Sequence, residues 1–167
     1  MAKKITWEIA LKVATAVIAR AGEDVRKKNL SPDLQSNAPI AVCVCGLNFQ
    51  PKVTISMDDA MPISSDNLCE DKAYTVLRTL TPTLYWESKG VNPRNFVDTR
   101  ITCFGGGVPI KDRHGKVIGA IGVSGRKSHS TKGRIPDNEV IFPQDHELAL
   151  HGLEIFKQLV SKKSQKP

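Results

Sequence analysis

The sequence predicts an α+β fold in which helices cover an antiparallel sheet. Two pairs of short apolar segments are each joined by a turn, Gly-Leu-Asn in the first pair and Asp-Arg-His-Gly in the second, and this pattern is typical of β-hairpins. Apolar residues at helical spacing fill three other segments. Hairpin strands pair antiparallel, so helices must bury the faces of the sheet. The order of helices and strands along the chain does not fit the strict strand–helix alternation of a doubly wound α/β fold.

Each element has a local signal. Thr6 can cap the first helix, Thr81-Pro82-Thr83 ends the second, and Asp145 can cap the last. The predicted elements are a helix over 7–28, strands over 40–45 and 52–57, a helix from 65 or 66 to 81, a short helix over 84–88, strands over 108–111 and 116–123, and a helix from 145.

The length and composition indicate one domain over residues 1–167. A chain of 167 residues can bury one sizeable core, and neither a repeat nor a linker divides it. Segment 126–143 is predicted to be an exposed, basic inserted loop, and a flexible basic tail is predicted from about 162. Part of the net charge of +7 lies in the two ends of the chain. Aromatic residues make up only 5%, without interleaved basic residues, so no specific nucleic-acid site is predicted.

The sequence predicts a cytoplasmic protein without a membrane partner. It has no apolar signal core and no run of membrane-spanning length. Its four cysteines therefore read as thiols. Cys43 and Cys45 point to one face of a strand, which could bind a soft metal, but two small buried side chains are the favoured interpretation and no metal site is predicted.

A glycine-rich segment, residues 103–125, raises the question of a ligand. It contains neither a P-loop nor a dinucleotide fingerprint, because its glycines lead into a strand or a basic loop and not into a helix. The interpretation that remains is a glycine turn that feeds a hairpin. Gly119 and Gly122 on the following strand indicate that a helix, a ligand or a second subunit packs close to it.

The segment GGGVPIKDRHGKVIGAIGVSG resembles the signature of the GlcG/HbpS-like family, which also supplies the C-terminal domain of PduO-type corrinoid adenosyltransferases. The resemblance covers roughly residues 6–160. Further segments that resemble the family are Met57-Asp58-Asp59-Ala60, Asp71-Lys72-Ala73-Tyr74-Thr75, Thr81-Pro82-Thr83, and Gln144-Asp145 with Ala149 and Gly152. Asp59 stands where relatives have glycine.

The resemblance implies an α/β/α, profilin-like domain with about five antiparallel strands, and homo-oligomers. It also implies haem binding, redox sensing or an accessory role in a catabolic pathway. Some relatives are thought to bind haem through a histidine of the first helix, and residues 7–28 contain no histidine. Haem is therefore a possible cofactor whose ligand is not identified. His146 and His151 are five residues apart on the last helix and cannot form a two-histidine metal pair. His151 can be a packed core residue or a pocket residue.

Two functions stay open. The first is a homo-oligomeric binding protein, a carrier or sensor for haem, a corrinoid or another small molecule. The second is an enzyme that acts on a small carboxylated metabolite, with an aspartate beside main-chain N–H donors of the glycine turn. The candidate catalytic residues are Asp58, Asp59 and Lys72. The candidate ligand-binding residues are Met57, Thr83, Arg100, Phe104, Gly105, Gly106, Gly107, Pro109 and His151.

Overall fold

A computed structural model describes residues 4–26, 37–62, 67–128 and 143–163 of the chain. The elements in chain order are helix α1 (Trp7–Val25), strands β1 (Ala41–Gly46) and β2 (Pro51–Ser56), helices α2 (Cys69–Thr79) and α3 (Thr83–Ser88), a 3₁₀ turn (Pro93–Phe96), strands β3 (Gly107–Lys111) and β4 (Val117–Ser124), and helix α4 (Asp145–Lys163). The α+β prediction is confirmed, and α4 begins at the predicted residue.

The four strands form one antiparallel sheet in the order β2-β1-β4-β3. The sheet therefore has four strands where the family resemblance implied about five. The two hairpins meet through their inner strands, β1 and β4, which pair from Ala41↔Ser124 to Gly46↔Gly119. β2 and β3 form the two edges, and Pro109 lies in an edge strand, where a residue without an N–H is tolerated.

Helices cover both faces of the sheet and make a three-layer α/β/α arrangement. The alternation along β1 assigns the layers: Val42 and Val44 face α1 and α4, whereas Cys43 and Cys45 face α2. The first layer is rich in large aliphatic side chains and the second in small ones. No helix in the described part of the chain has the length and apolar character needed to cross a bilayer.

Gly122 shows why the α2 layer needs small residues. A Cβ on Gly122 would overlap the carbonyl oxygen of Cys69 and lie 2.8 Å from the amide nitrogen of Ala73. Of the three partners that the sequence left open for this glycine, the structure gives a helix, α2. The close approach lets the N-terminus of α2 rest on β4.

The prediction of an exposed, basic loop over residues 126–143 is wrong at its first residue, Arg126. Residues 129–142 lie outside the described residues, but Arg126 is only 8% exposed and its guanidinium is bonded to Asp24 Oδ2 at 3.0 Å. The same guanidinium donates to the carbonyl oxygens of Ala21, Ala38 and Pro143. Arg126 is therefore a structural cation that joins α1 to the start of α4, and not part of an exposed basic surface.

Candidate functional site

The glycine turn packs into a buried corner between α2, α3 and α4. The amide of Gly105 donates to Glu87 Oε2 at 2.6 Å, and the amide of Gly107 donates to Thr83 Oγ1 at 2.8 Å. Gly106 accepts from the Val123 amide at 2.9 Å. Two of the three amides that the sequence predicted as anion donors are thus bonded to side chains of α3.

Lys72 lies beside this turn, as the sequence predicted, but its ammonium is engaged. The residue is 1% exposed, and Nζ donates to Asp145 Oδ2 at 2.7 Å and to the Val123 carbonyl at 2.9 Å. Burial raises the pKa of Asp145 to about 6, although Lys72 and the amide of Arg126 oppose that change. Lys72, a predicted catalytic residue, thus forms a buried ion pair that ties α2 to α4.

Asp58 and Asp59 lie at the opposite edge of the sheet from the glycine turn. Both are exposed in the turn that follows β2, while the glycine turn leads into β3. Because β1 and β4 stand between and neighbouring strands lie about 4.8 Å apart, the edges are separated by roughly 14 Å. The expectation that the end of the second strand meets the glycine turn in one cavity is therefore wrong within one chain.

The remaining predicted residues are spread over the molecule. The sulfur of Met57 accepts from the Ile40 amide at 3.5 Å, and Arg100 is held by Asp71 at 2.9 Å and stacks on Tyr74. Phe104 is 57% exposed beside the glycine turn. His151 is half-buried on α4.

A cleft of about 640 Å³ lies between α4 and the edge strand β3. Four large apolar side chains that recur along α4 form one wall, and Pro109 belongs to the other, together with Val108 and Pro82. The α4 residues of this wall are Leu150, Leu153, Phe156 and Val160. Ligand pockets in proteins commonly enclose roughly 300 to 1,000 Å³ and are mostly apolar, so this cleft has the size and lining of a small-molecule site.

The polar residues of the cleft are mainly cationic. Lys111, Arg113 and Lys157 lie on its walls, with Asp112 as an acidic neighbour. His146 also lines it; the residue is half-buried, with a buried Nδ1, and its amide donates to the Ser128 carbonyl at 2.9 Å. An apolar wall, a histidine and several cations would suit a flat apolar ligand that carries carboxylates.

Sequence reasoning missed this cleft because it followed the glycines. His146 is not among the predicted ligand-binding residues, because it does not form a metal pair with His151. The signal available was that Leu150, Leu153 and Phe156 recur every three residues along α4, on a line that starts two residues after Leu148.

The family model described as "Haem degrading protein HbpS-like" matches residues 5–132. A PduOC:heme complex is similar in fold, with 21% identity, a TM-score of 0.67 and coverage of 92% of this chain and 95% of that one. The Klebsiella pneumoniae protein ORFY is 26% identical, with a TM-score of 0.68 and coverage of 94% of this chain and 93% of that one. A double mutant of Streptomyces reticuli HbpS is 22% identical, with a TM-score of 0.66 and coverage of 93% of this chain and 88% of that one. A search of the curated proteins gives no match.

Proposed function

Because the chain belongs to the HbpS-like family of haem-degrading proteins, we propose that it binds haem, and that it does so in the cleft between α4 and β3. The carrying observation is the composition of this cleft, which has an apolar wall on α4, cations on both sides and His146 on its lining. The heme complex of the related PduOC fold supports haem over a corrinoid as the ligand.

The residues of the cleft fit the parts of haem. The porphyrin is a flat apolar ring, for which Leu150 and Leu153 offer packing area. Its two propionates need cations, which Lys111 and Lys157 supply. Its iron needs an axial ligand, and His146 is the residue of this lining with the right chemistry. When bound, haem supplies iron redox chemistry; the chain supplies the ligand, the counter-charges and a dry wall.

A haemin titration followed by absorbance tests this proposal. We expect the wild-type protein to bind one haem per chain with a saturable change in the Soret band. His146→Ala should weaken binding at least tenfold and alter the Soret position, because the axial ligand is lost. His151→Ala is the matched control, since His151 is a half-buried histidine of the same helix outside the cleft lining.

The outcomes separate the cleft from other sites. Leu150→Arg, which would place a charge in the apolar wall at a side chain that is 44% exposed, should also abolish saturable binding while leaving circular dichroism unchanged. Cobalamin added instead of haemin tests the corrinoid alternative. Unsaturable binding by the wild type, or loss in His151→Ala but not in His146→Ala, would overturn the assignment.

The enzyme alternative has less support. It required an aspartate and free amide donors in one pocket, whereas Asp58 lies across the sheet and the donors at Gly105 and Gly107 are bonded to Glu87 and Thr83.

We further propose that the protein is a homo-oligomer of the cytoplasm. Trp7 is 60% exposed and Leu11 is 41% exposed, one turn apart on the outer side of α1. Exposed apolar neighbours of this kind are typical of contact surfaces.

The cysteines support the cytoplasmic location. All four are free thiols, and free thiols are typical of proteins in a reducing compartment.

A further inference from the structure

Two thiols touch in the layer between the sheet and α2. Cys43 Sγ and Cys45 Sγ lie 3.4 Å apart, and the residues are 0% and 2% exposed. The strand geometry brings them together, because residues two apart on β1 point to the same face. One thiol must donate its proton to the other sulfur.

This contact makes the pair different from two isolated buried thiols. The hydrogen bond from the Cys43 thiol lowers the pKa of Cys45, although burial opposes the change. The bond to Cys45, together with burial, raises the pKa of Cys43. The pair is therefore one coupled unit, with both sulfurs within hydrogen-bond distance of each other on one face of β1.

The residues around Cys43 and Cys45 determine the kind of ion that the two thiols could bind. The thiols pack with small apolar residues of β1, β4 and α2, among them Ala41, Ala73 and Ala120. On the β2 side Thr54 hydrogen-bonds to Cys43, and the charges of Glu70 and Arg100 act on Cys45. No group of three His, Cys, Asp or Glu residues in the described segments could hold a metal ion. Ions that demand four or more ligands, such as Zn²⁺, are therefore poorly served. A soft ion that accepts two thiolates suits two sulfurs in an apolar layer.

The position of Cys45 near the end of β1 gives an ion a route to the two thiols. Cys45 is one residue from the end of β1, and the pairing with β2 shifts register between Val44 and Cys45. The hairpin turn that follows carries exposed Leu47. Opening of this hairpin end exposes the thiols without unfolding of the sheet, because strand ends open more readily than strand centres.

We propose that Cys43 and Cys45 form a two-coordinate site for Cu(I). Binding of one Cu(I) displaces both thiol protons and leaves a dithiolate complex with a net charge of −1; no electron is transferred. A linear sulfur–copper–sulfur arrangement needs the two sulfurs farther apart than their present 3.4 Å, so side-chain rotation must open the pair. This site is distinct from the haem cleft, because it lies on the α2 side of the sheet, away from α4.

The test is an anaerobic titration of the reduced, haem-free protein against Cu(I) held by the chromophoric chelator bicinchoninate. We expect the wild type to withdraw one Cu(I) per chain. Cys43→Ser and Cys45→Ser should each weaken binding at least 100-fold, and Cys103→Ser, a buried thiol outside this pair, should bind as the wild type does. Circular dichroism reports whether each variant is folded.

X-ray absorption at the copper edge gives a readout that does not depend on variants. A loaded protein with two sulfur neighbours and no third ligand supports the site. Competition by the wild type no stronger than that of a Cys43→Ser/Cys45→Ser double variant would overturn it. So would an equal loss in Cys69→Ser, because that result would mean a three-sulfur site.

Discussion

At the scale of the residue, Gly106 shows how the glycine turn is fixed. Its φ of +124° lies in the region that L side chains rarely adopt. A Cβ there would also overlap the Val123 carbonyl and lie 3.0 Å from Lys72 Nζ and from Asp145 Cβ. Backbone conformation and packing both require glycine, so this residue is explained by the fold without a ligand.

We expect Gly106→Ala to lower the free energy of unfolding by about 3 kcal/mol or more, because it adds backbone strain to a steric clash. Gly115→Ala is the matched control: Gly115 also has a positive φ, +80°, but nothing lies within 4 Å of the added Cβ. Gly115→Ala should lower the free energy of unfolding by about 1 kcal/mol. Urea denaturation measures both, and equal effects would show that packing around Gly106 is not decisive.

The buried carboxyl of Asp145 predicts a pH dependence. Its pKa is raised by burial from 3.8 to about 6, so the native state binds its proton more tightly than the unfolded state does. The contribution of this group to stability is therefore fully present below about pH 4 and is lost as the pH rises to about 6. The shift corresponds to about 3 kcal/mol.

Asp145→Asn removes this titration. We expect the stability of the wild type, relative to this variant, to fall by about 3 kcal/mol between pH 4 and pH 7. Asp58→Asn, which makes the same substitution at an exposed aspartate, is the matched control. Denaturant midpoints across this pH range provide the measurement. A relative stability that rises with pH would mean that Lys72 dominates over burial.

At the scale of the element, α3 is attached to the edge strand through one hydroxyl. Thr83 is the first residue of α3 and is 0% exposed, and its Oγ1 accepts from the Gly107 amide at the start of β3. Loss of that acceptor leaves a buried N–H without a partner, which costs about 1–3 kcal/mol.

Thr83→Val keeps the shape of the side chain and removes the hydroxyl. We predict a loss of about 2 kcal/mol in the free energy of unfolding, and faster amide exchange at Gly107 by NMR. Thr54→Val is the control, because the Thr54 hydroxyl bonds to Glu70 at an exposed position. If Thr83→Val is no more costly than Thr54→Val, the hydroxyl does not anchor α3.

The elements could be predicted from sequence more fully than the site. Hairpin turns and helical periodicity are local signals, and they predicted β1, β2, β3, β4, α1 and α4 to within a few residues. The site depends on distant pairs instead: Lys72 meets Asp145 across 73 positions, and Arg126 meets Asp24 across 102. Nothing local in the sequence says that a lysine of an otherwise polar segment will be buried against such a partner.

At the scale of the whole molecule, the sheet separates two kinds of chemistry. The α1–α4 side contains the large aliphatic core and the proposed haem cleft at its β3 edge, whereas the α2 side contains the thiol pair. The two proposed sites can therefore be tested independently. The net charge of +7 should favour association with an anionic ligand such as haem, an attraction that salt screens.

We predict that the chain self-associates through the outer side of α1. Trp7 and Leu11 expose an apolar surface on α1, and we expect light scattering to give at least twice the mass of one chain, 18.3 kDa. Leu11→Glu should shift the mass toward a monomer, because a carboxylate buried in an apolar contact has no partner. Leu47→Glu is the control, since Leu47 is exposed to a similar degree, 46%, in the β1–β2 turn. A monomeric wild type at about 100 μM would contradict self-association, and dissociation by Leu47→Glu alone would place the contact elsewhere than on α1.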